Sequence, residues 1–322
     1  MFLGTYHNRL HGQPNDDTIV VEETYNLLTK NKKLHEGENI NLDRESLIQI
    51  CDLAKTCLLG EETVLRLQPR LHIVGDLRGN YNKIWNFINT PEATDHLLFL
   101  GDYVNTGKHS LELMTLVLCM KILSPKQVFL LRGGQETPEM TAKGGFKNEC
   151  VTRYDKEVYQ HFLDVFDCMP LAAIVTNDEK SKSILFMNGG LSPNFTSIRQ
   201  LEEIQRPLKN VESGLVHEIL FSDPSSKVKN FSENKGTNTY LYGAKAVHNF
   251  LKKNHLDQII NSHQKNDFYY PFGDDHSVLT MYSANGMNIY IREDMLYTFS
   301  NRTNLNSYEE KLNNYVDPIV RV

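Results

Sequence analysis

The chain has 322 residues, of which 40% are hydrophobic and 23% are charged, and its formal net charge is −6 at pH 7. This composition is that of an ordinary globular protein and excludes a disordered or fibrous chain. The mildly acidic balance argues against a nucleic-acid-binding protein, which needs clustered Lys and Arg. The length suits one large domain or two small ones.

The sequence favours an intracellular location. No stretch approaches the roughly 20 apolar residues that span a bilayer, and Met1 to Asp17 lacks the basic and apolar regions of a signal peptide. The five cysteines are scattered, and none is spaced as Cys-x-x-Cys. They indicate buried thiols in a reducing compartment. We therefore expect a cytosolic or nuclear protein without membrane contact.

The first elements predicted along the chain are two amphipathic helices, with Asp17 or Thr18 capping the first and Asp43 capping the second. After Pro69, short apolar runs alternate with helical segments, which predicts α/β layering around a buried sheet. The predicted strands are Leu71–Val74, Leu97–Leu100, Val128–Leu131, Leu171–Val175 and Ile184–Met187, and the predicted helices are Tyr81–Ile88, Ser110–Leu123 and Tyr154–Phe166.

Beyond Phe221 the pattern turns to loops and further strands, including Val278–Tyr282 and Met295–Phe299. No linker rich in Gly, Pro or Ser divides the chain, so we expect one compact domain. Within the predicted helix Ser110–Leu123, the apolar stripe Leu113, Leu116, Val117 and Met120 is expected to be core.

Polar loops of regular composition follow four of the predicted strands: Gly75–Gly79, Gly101–Gly107, Leu131–Glu136 and Asn188–Pro193. In layered α/β proteins the ligand site lies in loops at the carboxyl ends of strands. A single Gly-Asp pair also fits a simple turn, so Asp76 and Asp102 are either turn residues or site residues. Four such loops in succession favour a shared site.

Six segments carry a family resemblance: Phe99–Val104, Phe129–Gly133, Pro170–Val175, Gly189–Pro193, Ser222–Pro224 and Ser262–Gln264. In this order they resemble the metal-dependent serine/threonine protein phosphatases, and the type-one catalytic subunit most closely. The resemblance implies the calcineurin-like metallophosphoesterase fold, a central β-sandwich flanked by helices with two metals at the strand ends. It divides the chain into an N-terminal helical extension packed on the domain (1–41), a phosphatase-like domain (42–300) and a C-terminal tail (301–322).

The chain departs from the family at the positions that bind metal and transfer protons. By the resemblance, three of the six metal ligands are retained as Asp76, Asp102 and His263, and the other three are replaced by Arg78, Gly134 and Asn188. Gln135 stands at the general-acid His, Asn105 at the Asp that orients it, and Thr106 at a phosphate-binding Arg. The resemblance thus implies a degenerate active site.

The chemistry of these replacements predicts a protein without phosphatase activity. A guanidinium is permanently protonated and cannot ligate a metal, so Arg78 is expected to pair with Asp76 or Asp102 as a built-in cation. Gln135 and Asn105 can hydrogen-bond each other but cannot transfer a proton. We therefore expect a scaffold, a decoy or a subunit of a complex, without a cofactor.

Several alternatives remain at the sequence level. A weak or altered phosphoesterase would hold at most one divalent metal, Mn or Zn, among the residual candidates Asp76, Asp102, Asn188 and His263. His263 is otherwise a buried imidazole. Arg132 either faces a phosphate or forms a structural salt bridge, for which Glu136 is the expected partner.

The expected partners are regulatory or scaffold proteins. The resembled phosphatases bind such proteins through a Val-x-Phe peptide that adds along a sheet edge. The corresponding groove positions are Ile184, Asp257, Phe272, Met295, Tyr297 and Phe299, with Gln258 where a Leu is expected. The same positions also fit ordinary strand core residues.

Overall fold

The computed structural model describes residues 16–88, 95–177, 182–209, 211–263, 268–292 and 297–301. The helices within these ranges are α1 (Asp16–Lys30), α2 (Arg44–Leu59), α3 (Tyr81–Ile88), α4 (Ser110–Leu123), α5 (Pro138–Gly144), α6 (Phe146–Arg153), α7 (Lys156–Asp167), α8 (Arg199–Glu202), α9 (Gly214–Phe221) and α10 (Ala244–Asn254). The strands are β1 (Val64–Leu67), β2 (Leu71–Val74), β3 (His96–Phe99), β4 (Val128–Leu130), β5 (Ala172–Asn177), β6 (Lys182–Met187), β7 (Asp223–Pro224), β8 (Phe231–Asn234), β9 (Thr239–Tyr242), β10 (Gln258–Asn261), β11 (Val278–Thr280), β12 (Met287–Ile291) and β13 (Tyr297–Asn301).

Two five-stranded sheets share one apolar layer. The first has the strand order β1-β5-β6-β10-β11, and the second has the order β13-β12-β2-β3-β4. Ile73 and Leu98 of the second sheet pack in one cluster with Phe186 and Ile260 of the first, so the sheets lie face to face. The predicted α/β layering and the central sandwich are confirmed.

Alternation along the strands separates the layers of the core. On β3, Leu98 faces the other sheet, whereas Leu97 and Phe99 pack under the helices. This strand lies between β2 and β4 in parallel register, with Ile73 opposite Leu98 and Phe99 opposite Leu130. The three strands therefore end at the same edge, where their loops come together.

Helix α4 packs against α1 and α2 in the helical layer. Its predicted apolar stripe is buried, and so is every other side chain from Ser110 to Lys121. Burial on all sides is typical of a helix enclosed by other elements. The prediction that this stripe is core is confirmed, although α4 is more enclosed than its pattern indicates.

The two predicted caps have different outcomes. Asp43 caps α2 as predicted, because its carboxylate accepts a hydrogen bond of 2.9 Å from the Ser46 N–H. The prediction that Asp17 or Thr18 caps the first helix is wrong, since both lie inside α1. Asp17 instead accepts a hydrogen bond from Gln49 of α2 at 2.6 Å, which joins the two helices.

The region after Phe221 is more regular than the sequence pattern suggests. It forms a small third sheet with the order β7-β9-β8, followed by α10. The last predicted strand is observed as β13, which includes Asn301, whereas Met295 and the remainder of the predicted tail lie outside the described residues. All five cysteines carry free thiols. In the described ranges, none of the helices combines the length and apolar character that crossing a bilayer requires.

Candidate functional site

The loops that follow β2, β3, β4 and β6 meet the chain that leaves β10. The Gln135 N–H donates to Asp102 Oδ1 at 2.9 Å, and the His263 N–H donates to Asp76 Oδ1 at 2.9 Å. Backbone and side chains of separate loops are thus joined directly. We call this group of predicted site residues the loop site, and it comprises Asp76, Arg78, Asp102, Asn105, Gly134, Gln135, Asn188 and His263.

Non-glycine residues with left-handed backbone are concentrated at the loop site. The φ angles are 44° at Arg78, 55° at Asp102, 72° at Asn105, 62° at Thr106 and 89° at His263. Each such residue costs on the order of 1–3 kcal/mol and persists only where its surroundings enforce it. Five of the eight such residues in the described part of the chain thus lie in these loops, where the surrounding contacts enforce them.

Glu136 is the buried anchor of the loop after β3, a role that the sequence analysis missed. Its carboxylate accepts the backbone N–H groups of Asp102 at 2.8 Å, Tyr103 at 2.9 Å and Val104 at 3.3 Å. Burial and the nearby charge of Asp102 raise the pKa of Glu136 to about 8, whereas these donors favour its ionised form. The available signal was the one acidic side chain in the predicted loop Leu131–Glu136.

Arg78 lies between the two retained carboxylates. Its Nε donates to Asp76 Oδ2 at 2.8 Å, and its Nη2 donates to Asp102 Oδ2 at 2.7 Å and to the His263 carbonyl oxygen at 3.0 Å. Both carboxylates are completely buried, and Arg78 is only 8% exposed. One guanidinium thus bridges the two groups at charge-assisted hydrogen-bond distance.

The charges at the loop site depend on one another. Burial and the charge of Asp102 raise the pKa of Asp76 to about 7, against the opposing effect of Arg78. Burial also disfavours the ionised form of Asp102, but the charges of Arg78 and His263 hold its pKa below the ordinary range. Burial opposes the charge of Arg78 as well, and the two carboxylates outweigh it and raise its pKa. The guanidinium is therefore fixed in its charged form.

His263 lies beside Asp102, whereas Asn188, another of the candidate ligands, is hydrogen-bonded to backbone groups. Its Nδ1 lies 3.3 Å from Asp102 Oδ2, an ion-pair distance with poor alignment for a hydrogen bond. Burial lowers the pKa of His263, but contact with Asp102 outweighs this and raises it. Asn188 Oδ1 accepts the Gly134 N–H at 3.0 Å, and Asn188 Nδ2 donates to the Leu100 carbonyl oxygen at 3.1 Å. Asn188 thus serves the backbone of two loops.

The positions of the family's proton-transfer pair hold two amides in contact. Asn105 Nδ2 donates to Gln135 Oε1 at 3.0 Å and to the Met140 carbonyl oxygen at 3.1 Å. Asn105 Oδ1 accepts the Phe146 N–H at 3.1 Å. Thr106 lies next to this pair and lines, together with Arg78, a cavity of about 340 Å³. The amides therefore keep hydrogen-bonded geometry without an ionisable group.

Arg132 has a structural role, and its expected partner is corrected. The side chain is completely buried and forms its ion pair with Asp167 of α7, at 3.0 Å, rather than with the carboxylate of Glu136. Its Nε donates to the Glu136 carbonyl oxygen at 3.1 Å, and its Nη1 donates to the Leu208 carbonyl oxygen at 3.0 Å. A buried guanidinium with these partners is not directed at a phosphate.

The predicted docking positions lie in different surroundings. Ile184 is completely buried between the two sheets. Phe272 is half-buried and packs against the opposite face of the sheet that contains Ile184. Asp257 Oδ2 accepts the Ser183 N–H at 2.7 Å next to β6. The burial of Ile184 supports its interpretation as a core residue. The remaining positions are in or beside β13, and their side chains lie outside the described residues: Met295, Tyr297 and Phe299.

A family model of calcineurin-like phosphoesterases matches residues 69–267, which is more than half of the chain and includes every residue of the loop site. The chain belongs to this family. A solved protein serine/threonine phosphatase from Saccharomyces cerevisiae, described as similar to human phosphatase PP5, has the same fold, with a TM-score of 0.75 and 23% identity over 89% of this chain and 96% of that one. A cold-active protein tyrosine phosphatase of Shewanella aligns at 12% identity and a TM-score of 0.48, over 75% of this chain and 83% of that one.

The side chains of the loop site do not fit the two-metal centre that the family resemblance implies. The guanidinium of Arg78 already occupies one oxygen of each retained carboxylate, Asp76 and Asp102, which would otherwise be available to a metal ion. Among the described residues, no cluster of three or more His, Cys, Asp and Glu side chains has the geometry to hold a metal ion. The donor set and the charge between its members therefore disagree with the family's cofactor.

Proposed function

We propose that the chain is a catalytically inactive, serine/threonine-phosphatase-like protein that acts by binding other proteins, as a scaffold, a decoy or a subunit of a complex. The observation that carries this proposal is the placement of Arg78 on Asp76 and Asp102. The fixed positive charge of Arg78 would repel a divalent cation placed next to these carboxylates. Its N–H groups also occupy carboxylate oxygens that such a cation would use as ligands. Two-metal hydrolysis requires both cations, so its first requirement is missing.

The remaining groups of the loop site support the same proposal. Hydrolysis also needs a proton donor for the leaving oxygen, and neither Gln135 nor Asn105 gives up a proton near neutral pH. Loss of a general acid alone lowers rates by about 10²–10⁴-fold. Thr106 adds no charge for a phosphate at the position of the family's Arg. Hydrolysis would therefore have to proceed without the two metals, the general acid and the phosphate-binding Arg of the family.

A weak or altered phosphoesterase with a single metal is the second candidate. It is favoured by the contact between His263 and Asp102, since these two retained ligands are still 3.3 Å apart. Asn188 would add an amide oxygen if it released the Gly134 N–H. Manganese or zinc suits such a mixed nitrogen and oxygen set.

Metal content and turnover, measured on the same preparation, separate the two candidates. The chain is purified in excess Mn²⁺ or Zn²⁺, its metal is quantified by mass spectrometry, and hydrolysis of p-nitrophenyl phosphate and a phosphoserine peptide is followed. His263→Ala is the matched control. We expect substoichiometric metal and equal background hydrolysis in both proteins. Bound metal together with hydrolysis that His263→Ala abolishes would refute the inactive protein and support the second candidate.

The partners in this proposal are cytosolic or nuclear regulators and scaffolds of phosphatases that present a Val-x-Phe peptide. Peptides of this kind add to a sheet edge, and β13 lies at the end of its sheet in the described part of the chain. Immobilised Val-x-Phe peptide is expected to retain the chain, and the Phe-to-Ala peptide is expected to retain much less. Equal recovery on both peptides would remove this binding mode from the proposal.

A further inference from the structure

A second cavity lies beside the loop between β7 and β8 and the first turns of α10. Its volume is about 710 Å³, which is within the range of about 300–1,000 Å³ for ligand pockets. Three lysines line it, and no Asp or Glu belongs to its described lining; the lysines are Lys227, Lys229 and Lys245. We call this cavity the α10 recess.

The positive charge of the α10 recess is not neutralised by neighbouring acids. In contrast to Arg78 and Arg132, none of the three lysines forms an ion pair with a carboxylate of the described residues. The carboxylate of Asp275 lies 2.9 Å from Nε2 of His248, which is one of the lining residues. The amino end of α10, which has no side-chain cap, adds a partial positive charge. The recess is thus basic on a chain whose net charge is −6.

The lysine-bearing loop is held against α10 by a close backbone approach. A Cβ at Gly243 would lie 1.8 Å from the Val228 carbonyl oxygen, so only glycine fits there. The Gly243 N–H donates to the Asn230 carbonyl oxygen at 2.7 Å, and the Lys245 N–H donates to the Lys229 carbonyl oxygen at 3.2 Å. The bases of the lysines are therefore fixed relative to one another, which lowers the entropy lost when an anionic segment binds.

We infer that the α10 recess binds an acidic peptide segment of a partner protein, rich in Asp and Glu and with one aromatic or aliphatic side chain. The lysines supply separate point charges for several carboxylates. Half-buried Phe272, with Val228 and Ala244, supplies an apolar surface for the single anchor. The described lining contains no Arg, whose planar fork would hold one carboxylate or phosphate bidentately, so its permanent charges are separate ammonium groups. This inference rests on the proposed function, because it names the chemistry of a partner for a chain that acts by binding.

The direct test is binding of a fluorescein-labelled peptide with alternating Glu residues around a central Phe, followed by fluorescence anisotropy with the full chain. The matched peptide has Gln in place of every Glu. We expect the affinity for the Gln peptide to be lower by at least about tenfold. The difference should shrink between about 0.05 and about 0.3 M NaCl, because exposed charges are screened over that range.

Charge reversal in the chain tests the site itself. In the triple variant Lys227→Glu/Lys229→Glu/Lys245→Glu, the affinity for the Glu peptide is expected to fall by at least about tenfold. The control Lys252→Glu/Lys253→Glu changes charges in the last turn of α10, outside the recess, and is expected to change affinity by less than about twofold. Circular dichroism melts show whether each variant is folded, and the neutral variant Lys227→Gln/Lys229→Gln should show a smaller loss in the same direction.

Three results would overturn the inference: equal affinity for the Glu and Gln peptides, equal losses in the triple variant and its control, or displacement of the peptide by inorganic phosphate at constant ionic strength. The last result would identify a phosphate site instead. Metal content and phosphatase activity are measured on the same protein. An active wild-type chain would refute the proposed function and leave the peptide result standing, so the two failures are distinguishable.

Discussion

The guanidinium of Arg78 donates to one oxygen of Asp76 and one of Asp102, so a single side chain supplies a permanent positive charge to both buried carboxylates. The family relies on bound cations at this place, and a cation can dissociate. A covalently attached positive charge cannot, and its raised pKa keeps it charged at any physiological pH. Arg78 is therefore a permanent compensating charge for the acidic residues of the loop site.

Removing this charge should expose the dependence. Arg78→Ala is expected to lower the free energy of unfolding by about 3–5 kcal/mol, because it leaves buried carboxylates unpaired. Arg78→Lys should restore only part of the loss, since an ammonium does not present the planar fork that spans two carboxylates. Urea unfolding in the presence of a chelator measures both changes.

Adding Mn²⁺ provides the control for this interpretation. Arg78→Ala should gain stability with Mn²⁺, because a ligand that binds the folded state stabilises it, whereas the wild-type chain should not. An equal gain in both proteins would mean that Arg78 does not stand in for a cation.

In the connecting loops, the replacement at position 134 is coupled through packing to the side chains of Phe221 and His263. A Cβ at Gly134 would lie 2.8 Å from Phe221 Cε1 and 3.2 Å from His263 Cε1. The rings of Phe221 and His263 pack edge to face at a centroid distance of 5.7 Å. The end of α9 and the chain after β10 thus fill the volume that a side chain at position 134 requires. Restoring one family residue cannot restore the site.

Gly134→Asn is expected to lower the free energy of unfolding by about 1–3 kcal/mol, because the new side chain overpacks a filled space. In the double variant Gly134→Asn/Phe221→Ala, the loss should be smaller than the sum of the single losses by about 1 kcal/mol. Gly236→Asn is the control, because a Cβ at Gly236 has room, with Asn234 Oδ1 at 3.5 Å. Its effect on the free energy of unfolding should stay within about 0.5 kcal/mol. Strictly additive losses in a denaturant titration would show that Phe221 does not block this position.

Local pattern was sufficient for the enclosed elements and insufficient for the exposed ones. The bounds of β2 and α3 agree with prediction, because β2 is a short, mostly apolar run and α3 has apolar residues at helical spacing. Strand β8 escaped prediction since its sequence, Phe231–Asn234, is mostly polar, and it is a strand because it pairs with β9. Propensity within a segment does not report such partners.

The same distinction holds for the loop site. The pairing of Arg78 with nearby acids follows from charge and family position, and both could be read from the chain. The pairing of Arg132 with Asp167 could not, because α7 brings that acid from a distant segment and the sequence contains no distance information. Glu136 was likewise visible as a residue, but the sequence does not show that its carboxylate accepts three backbone N–H groups of the loop after β3.

Across the whole molecule, the segment predicted as an N-terminal extension shares the core of the domain. Val21 and Leu28 of α1 are completely buried in the cluster that surrounds α4. The Tyr81 hydroxyl donates to the Leu28 carbonyl oxygen at 2.7 Å, and the Ile40 N–H donates to Glu112 Oε1 at 3.0 Å. Contacts of this kind favour a single cooperative unit over an attached helix.

Two adjacent leucines of α1 test this cooperativity. Leu28→Ala should lower the free energy of unfolding by about 2–5 kcal/mol, because it opens a cavity in the shared core. Leu27→Ala, at a position 38% exposed, should change it by no more than about 0.5 kcal/mol. Thermal melts followed by far-ultraviolet and near-ultraviolet circular dichroism should move together in Leu28→Ala, since both signals report one transition. If α1 were an independent extension, Leu28→Ala would instead lose a small helical signal early and leave the main transition in place, and residue 41 would then mark a true domain boundary.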